Sequence, residues 1–245
     1  IARAWFDKDG VDAIADFSNS SVGFAVQALA NERKKITLIT AASSDFTGKA
    51  CTPLSTQWVY NSYSNGYGLA RLMTQRGLDS VYLLTVDYAF GHAFANDVRK
   101  AVTDNGGKVV GELRFPLNSS DLSSYLLQGQ ASKAKLIVAA SAGSDMTSIV
   151  KQATEFGITP KQTLAAPSVF LTDVHSMGLQ AAQGLQFLTA FYWDRTPASR
   201  AWSEKFFARR KAMPTMTQAG VYSAVRHYLK AIEATGTDEG VGVVG

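Results

Sequence analysis

The chain has 245 residues, with 24 Lys plus Arg against 20 Asp plus Glu for a net charge of +4; 46% of it is hydrophobic and 18% charged. At roughly 150 residues per domain this is one large domain or two small ones, and the apolar content excludes a disordered chain. The most apolar runs, such as Leu136-Ile137-Val138-Ala139-Ala140, fall far short of the ~18 residues a membrane span requires, so no direct membrane insertion is expected.

In chain order, residues 1–7 read as the tail of an amphipathic helix with Ile1, Ala4 and Trp5 on one face. Apolar, β-branched runs then alternate with helical periodicity. Strands are predicted at 11–17, 36–40, 81–86, 108–115, 136–140, 163–166 and 185–190. Helices are predicted at 21–30, 66–76, 93–105, 122–131, 145–156 and 198–211. A last helix, 217–234, carries Val221, Ala224, Val225, Tyr228, Leu229 and Ile232 on one apolar face. Asn105-Gly106-Gly107 and Gly157 supply C-terminal stops, and Asp145 is placed to cap a helix start. Repeated strand–helix–strand units imply right-handed crossovers and a mainly parallel sheet covered on both faces, an α/β fold. Two aromatic and polar stretches, 57–63 and 191–195, read as extended segments bridging two lobes. With no initiator Met, no signal peptide and a turn-like stretch before the end, the chain reads as a fragment of a longer mature protein.

The basic runs Arg33-Lys34-Lys35 and Arg209-Arg210-Lys211 sit at or near helix ends, where cations complement the macrodipole. No basic stripe interleaved with aromatics accompanies them, so no nucleic-acid partner is expected. Cys51 is alone, which leaves no internal disulfide and no Cys-based metal site. The stretch from Gly240 to Gly245 matches G-x-G-x-x-G but lacks a preceding strand, a following helix and a downstream acid. There is no G-x-S-x-G elbow and no P-loop, and His92, His175 and His227 have no metal-ligand spacing. The sequence therefore calls for no metal, no cofactor and no enzyme chemistry.

Small hydroxyl residues instead follow the predicted strands: Ser18-Asn19-Ser20-Ser21 after Phe17, Ser43-Ser44-Asp45 after Thr40, Ser141-Ala142-Gly143-Ser144 after Ala140, and Pro167-Ser168 after Ala166. In open α/β sheets ligands bind beyond the carboxyl ends of the strands, and hydroxyls beside free helix N–H groups suit a small carboxylate. Tyr88 and Phe90, after Val86, can cover an apolar ligand body. The same Ser, Asn and Asp residues also serve as ordinary N-caps.

At these residues the chain resembles the branched-chain-amino-acid type of ABC-transporter solute-binding protein, a type I periplasmic binding protein. The resemblance is carried by Trp5-Phe6-Asp7-Lys8-Asp9-Gly10-Val11-Asp12-Ala13-Ile14, Asp87-Tyr88-Ala89-Phe90-Gly91-His92 and Ile149-Val150-Lys151-Gln152-Ala153 with Phe156-Gly157. Gln183-Gly184-Leu185, Met213-Pro214 and Gly220-Val221-Tyr222-Ser223-Ala224 add to it. It implies two doubly wound parallel-sheet lobes joined by crossing strands, with N- and C-terminal parts missing. Residues 1–60 and 192–245 would form the first lobe and 61–191 the second. It also implies a periplasmic receptor that traps a small carboxylate by hinge closure and delivers it to a membrane permease.

Carried over residue by residue, the ligand carboxylate falls to Asn19 and Ser20 and to Ser43 and Ser44. Phe90 takes the place of a Tyr that covers the ligand, with Tyr88 beside it and His92 near the cleft. Ser141 and Ala142 stand where another aromatic is common. The departure is the turn Ala166-Pro167-Ser168-Val169-Phe170: leucine-type members carry an acid where this chain has Ser168, and the next acid is Asp173. A buried ammonium without a carboxylate is costly, which favours an aromatic or keto acid over an α-amino acid unless Asp45 or Asp87 substitutes. A cytoplasmic ligand-sensing regulator core of the same fold, and a small α/β hydrolase or transferase, are the alternative readings.

Overall fold

The computed structural model describes residues 1–244. Gly245, the last glycine of the G-x-G-x-x-G match, lies outside them. The chain separates into two compact units, Ile1–Asn61 with Ala190–Gly245, and Ser62–Thr189.

In the first unit, β1 (Ala13–Ala15), β2 (Ile36–Ile39) and β3 (Ser55–Gln57) form a parallel sheet in the order β1-β2-β3. Helix α2 (Ser20–Glu32) makes the crossover from β1 to β2. Alternation along the strands divides the core. Ile36 and Leu38 pack with Ala224 of α9 (Met216–Thr235), while Ile14 and Ile39 pack with Phe6 of α1 (Ala2–Asp7), Ala30 and Phe46. Helices α8 (Pro197–Arg210) and α10 (Gly240–Val244) complete the unit.

In the second unit, β4 (Ser80–Val86), β5 (Lys108–Phe115), β6 (Leu136–Ala140) and β7 (Thr163–Ala165) are all parallel, in the order β5-β4-β6-β7. The central strands β4 and β6 are buried on both faces and so read as continuous apolar runs. Val81, Leu83, Leu136 and Val138 face residues of α3 (Gly68–Gln75) and α4 (Ala89–Asp104). Tyr82 and Ile137 on the other face close over Gly129 of α5 (Ser123–Ala131). Helices α6 (Gly143–Glu155) and α7 (Leu171–Met177) follow β6 and β7.

Several expectations are corrected. The strand predicted at 11–17 shrinks to Ala13–Ala15, because Asp16 takes φ 64° and Phe17 turns its N–H to the Thr40 hydroxyl. The buried residue of α1 is Phe6, whereas Trp5 and Ile1 are exposed, because the helix meets α2 along a different stripe. On α9, Ala224 is buried but Val225 and Leu229 are exposed, since three short strands cover only a narrow strip of the helix. Residues 57–63 are not one extended segment: β3 ends at Gln57, and Tyr63–Tyr67 is a single π-helical turn leading into α3. Residues 191–195 form a turn closed by the Arg195 N–H on the Tyr192 carbonyl. The predicted strand at 185–190 is reduced to one bridge, Ala165 to Gln186.

The helix stops hold: Gly106 and Gly157 take φ 78° and 62° just past α4 and α6. Asp145 does not cap α6. Ala142 is the N-cap, and the Asp145 carboxylate, 3% exposed in the first turn, accepts the Asn118 N–H at 2.9 Å. Asp145→Ala orphans that N–H and is expected to cost about 1–3 kcal/mol in chemical denaturation. Asp145→Asn retains an acceptor and should recover most of the loss.

Candidate functional site

In the first unit the predicted residues gather where β1 and β2 end. Asn19 is the N-cap of α2, its Oδ1 accepting the Val22 N–H at 3.1 Å. Ser20 is buried, and its hydroxyl accepts the Ser43 N–H at 3.2 Å, which joins the two predicted carboxylate-binding turns. The Ser43 hydroxyl in turn accepts the Asp45 N–H, starting the short 3-10 turn Ser44–Phe46. Thr40 ties the strand ends together: its hydroxyl donates to Asp16 at 2.8 Å and accepts from the Phe17 N–H at 3.2 Å.

Gln57 was not anticipated in this role. Its amide donates to the Ala41 and Ser43 carbonyls at 2.8 and 2.9 Å and so sets the loop that carries Ser43 and Ser44. An amide bracing a distant backbone leaves no spacing signal in a sequence.

In the second unit, β4, β6 and β7 all end at helix N-termini. Tyr88 is the N-cap of α4, and its ring stacks on Phe90 with centroids 5.6 Å apart. Phe90 is 5% exposed and rests on Phe94 at 4.7 Å. Ala142 is the N-cap of α6 and Phe170 that of α7. Ser141 and Ser168 are each 1% exposed, and neither hydroxyl has a hydrogen-bond partner among the described residues. Leaving such a group unpaired costs about 1–3 kcal/mol. Asn65, also unanticipated, is buried and donates to the Pro167 carbonyl at 3.0 Å, fixing the turn that presents Ser168.

The nearby carboxylates are engaged. Asp45 pairs with Lys49 at 3.0 Å, Asp87 with His92 at 2.7 Å, and Asp173 accepts the Phe170 N–H at 2.8 Å. Burial pushes the Asp173 carboxyl above its ordinary range, and the Phe170 N–H opposes this. A carboxyl raised in the folded state contributes stability that is complete below the unfolded value of about 3.9 and is lost as pH rises through the folded value. Asp173→Asn keeps an oxygen for the Phe170 N–H, so it should flatten the fall in stability above about pH 4. Urea titrations across pH would show this.

Two concavities stand out, one away from these residues and one that reaches Asp16 at the end of β1. One of about 540 Å³ in the second unit, lined by Met73, Arg76, Thr163 and Gln186, opens beside the start of β7, away from the hydroxyl-rich ends. The other, about 530 Å³ in the first unit, lies between Trp202, Phe206 and Tyr222, with Lys205, Arg209 and Asp16 at its wall. Among the described residues no cluster of three His, Cys, Asp or Glu is arranged to hold a metal ion, and no helix is long and apolar enough to cross a membrane.

The family model described as periplasmic binding protein matches residues 1–244. The Leu/Ile/Val-binding protein homolog 6 of Brucella melitensis is 24% identical over 246 residues, covering 96% of this chain and 62% of its own length. A periplasmic binding protein from Burkholderia mallei, solved by crystallography, is 40% identical with a TM-score of 0.96, over 99% of this chain and 65% of that one. An ABC-transporter solute-binding protein from R. palustris, solved with 4-hydroxybenzoate, shares the fold at a TM-score of 0.90 and 24% identity, over 99% of this chain and 68% of that one. The chain thus spans less than two thirds of the first two relatives, and the match along almost its whole length shows that it belongs to the periplasmic binding protein family.

Proposed function

We propose that this chain is the ligand-binding part of an ABC-importer receptor for a small carboxylate whose body is aromatic or otherwise uncharged. The observation that carries this reading is the Ser168 turn: a serine stands there, and Asp45, Asp87 and Asp173 are each engaged by a lysine, a histidine or a backbone N–H. An ammonium brought to these strand ends would have to draw Asp45, Asp87 or Asp173 from its present partner, or take Asp16 from the Thr40 hydroxyl, and a desolvated, unpaired charge is expensive.

A carboxylate is better served. The Ser20 hydroxyl is used as an acceptor and retains a proton to donate, and the first turn of α2 offers N–H groups beside it. Tyr88 and Phe90 supply aromatic surface for a ring. In this reading residues 1–60 and 192–245 act as one lobe and 61–191 as the other. Ligand binding favours one conformation of the protein, and a membrane permease recognises that form in the periplasm. The 4-hydroxybenzoate held by the R. palustris protein is a ligand of this class, while the Brucella relative's name points to leucine, isoleucine and valine.

A thermal-shift panel tests the reading. A ligand at about 100 times its Kd stabilises the protein by about 2.7 kcal/mol, a shift of several degrees. Benzoates or 2-keto acids should raise Tm and leucine and valine should not. The reverse pattern refutes the Ser168 argument.

A further inference from the structure

Four buried hydroxyls lack a partner among the described residues: Thr74, Ser141, Ser168 and Ser203. Thr74 and Ser203 lie inside α3 and α8, where rotation brings a hydroxyl to the carbonyl one turn back. Ser141 and Ser168 lie just past β6 and β7 and have no such turn behind them.

Their positions are related. β6 and β7 pair Leu136 with Thr163, Ile137 with Leu164 and Val138 with Ala165. Ser141 follows the last residue of β6 directly and Ser168 comes three residues after β7, so both lie past the carboxyl ends of neighbouring strands. Asn65 holds the second turn through the Pro167 carbonyl, and Tyr88 and Phe90 stack past the end of β4, which pairs with the other side of β6. Two buried, unpaired hydroxyls therefore share one edge of the sheet, next to the strand that carries the aromatic pair.

We propose that Ser141 and Ser168 form a specificity subsite for an uncharged hydroxyl on the ligand. This rests on the carboxylate reading above and deepens it. Each serine offers one donor and two acceptor lone pairs, so a phenolic or alcoholic hydroxyl can donate to one and accept from the other. An ammonium supplies donors only and brings a charge with no counter-ion, and a bare ring edge leaves both serines unpaired.

The test is calorimetric titration of the protein, freed of carried-over ligand, with benzoate and 4-hydroxybenzoate. The wild type should bind the hydroxylated acid about tenfold or more tighter. In Ser141→Ala, Ser168→Ala and the double variant that ratio should fall towards one. Each substitution removes a buried polar group that has no partner, so the unliganded variants should melt no lower than the wild type. That second readout separates a ligand subsite from a structural role. If benzoate binds and hydroxylation gives no advantage, or the ratio survives in the double variant, the subsite is refuted while the carboxylate reading stands. If neither acid binds and leucine does, the carboxylate reading fails and the subsite with it.

Discussion

Gly91→Ala should lower stability by about 3 kcal/mol or more, a fall in Tm on the order of 6–12 °C. Gly91 sits in the first turn of α4, directly over the end of β4. A Cβ there would lie inside contact distance of the Val86 carbonyl oxygen and 2.9 Å from its Cγ1. The obstacle is backbone, so no rotamer relieves it, and α4 has to lift off the strand. The gain of about 1 kcal/mol in helix propensity from glycine to alanine is too small to offset this. Lifting α4 also moves its N-cap Tyr88 and the Phe90 ring, so ligand affinity should weaken together with stability. Gly129→Ala is the internal control. A Cβ there meets only ordinary contacts at 3.4 Å, with Ile137 and Tyr82, and the substitution should be close to neutral.

Gly220→Ala should be about as damaging, for a different reason. A Cβ on Gly220 of α9 would overlap Val59 Cγ2. Val59 has little freedom to yield: it is β-branched and holds φ 88°, a conformation that costs on the order of 1–3 kcal/mol outside glycine. Val59→Gly removes both the obstructing methyl and the strain, and should be nearly neutral alone because Val59 is only partly buried. The double variant should recover most of what Gly220→Ala loses, a coupling of about 2–3 kcal/mol in a double-mutant cycle. Simple additivity would show that the loss arises elsewhere in α9.

The parts of the fold legible in the sequence are those where local pattern and tertiary environment agree. Lys108–Phe115 and Leu136–Ala140 form strands at the predicted bounds. The glycines at 106 and 157 end helices because only the left-handed region closes those turns cheaply. Residues 185–190 look like a strand because their composition is apolar, but within them the strand pairing is the single bridge from Gln186 to Ala165. No local pattern reports whether a neighbouring strand is long enough to pair.

The site divides in the same way. Hydroxyls at strand ends could be read from residue type and order, and the Ser20 to Ser43 bond brings two predicted turns together. Gln57 and Asn65 were missed because their side chains brace backbone at sequence separations of up to 102 residues. The unpaired state of the Ser141 and Ser168 hydroxyls depends on what surrounds them in space, which residue type alone does not carry.

The proposal that this chain takes a carboxylate without an ammonium is tested most directly by a pair of equilibrium titrations on ligand-free protein. One uses benzoate and the other leucine, at the same pH and ionic strength. Saturable one-to-one binding of benzoate with no heat from leucine is the predicted result. Saturable binding of leucine with none of benzoate would contradict the claim.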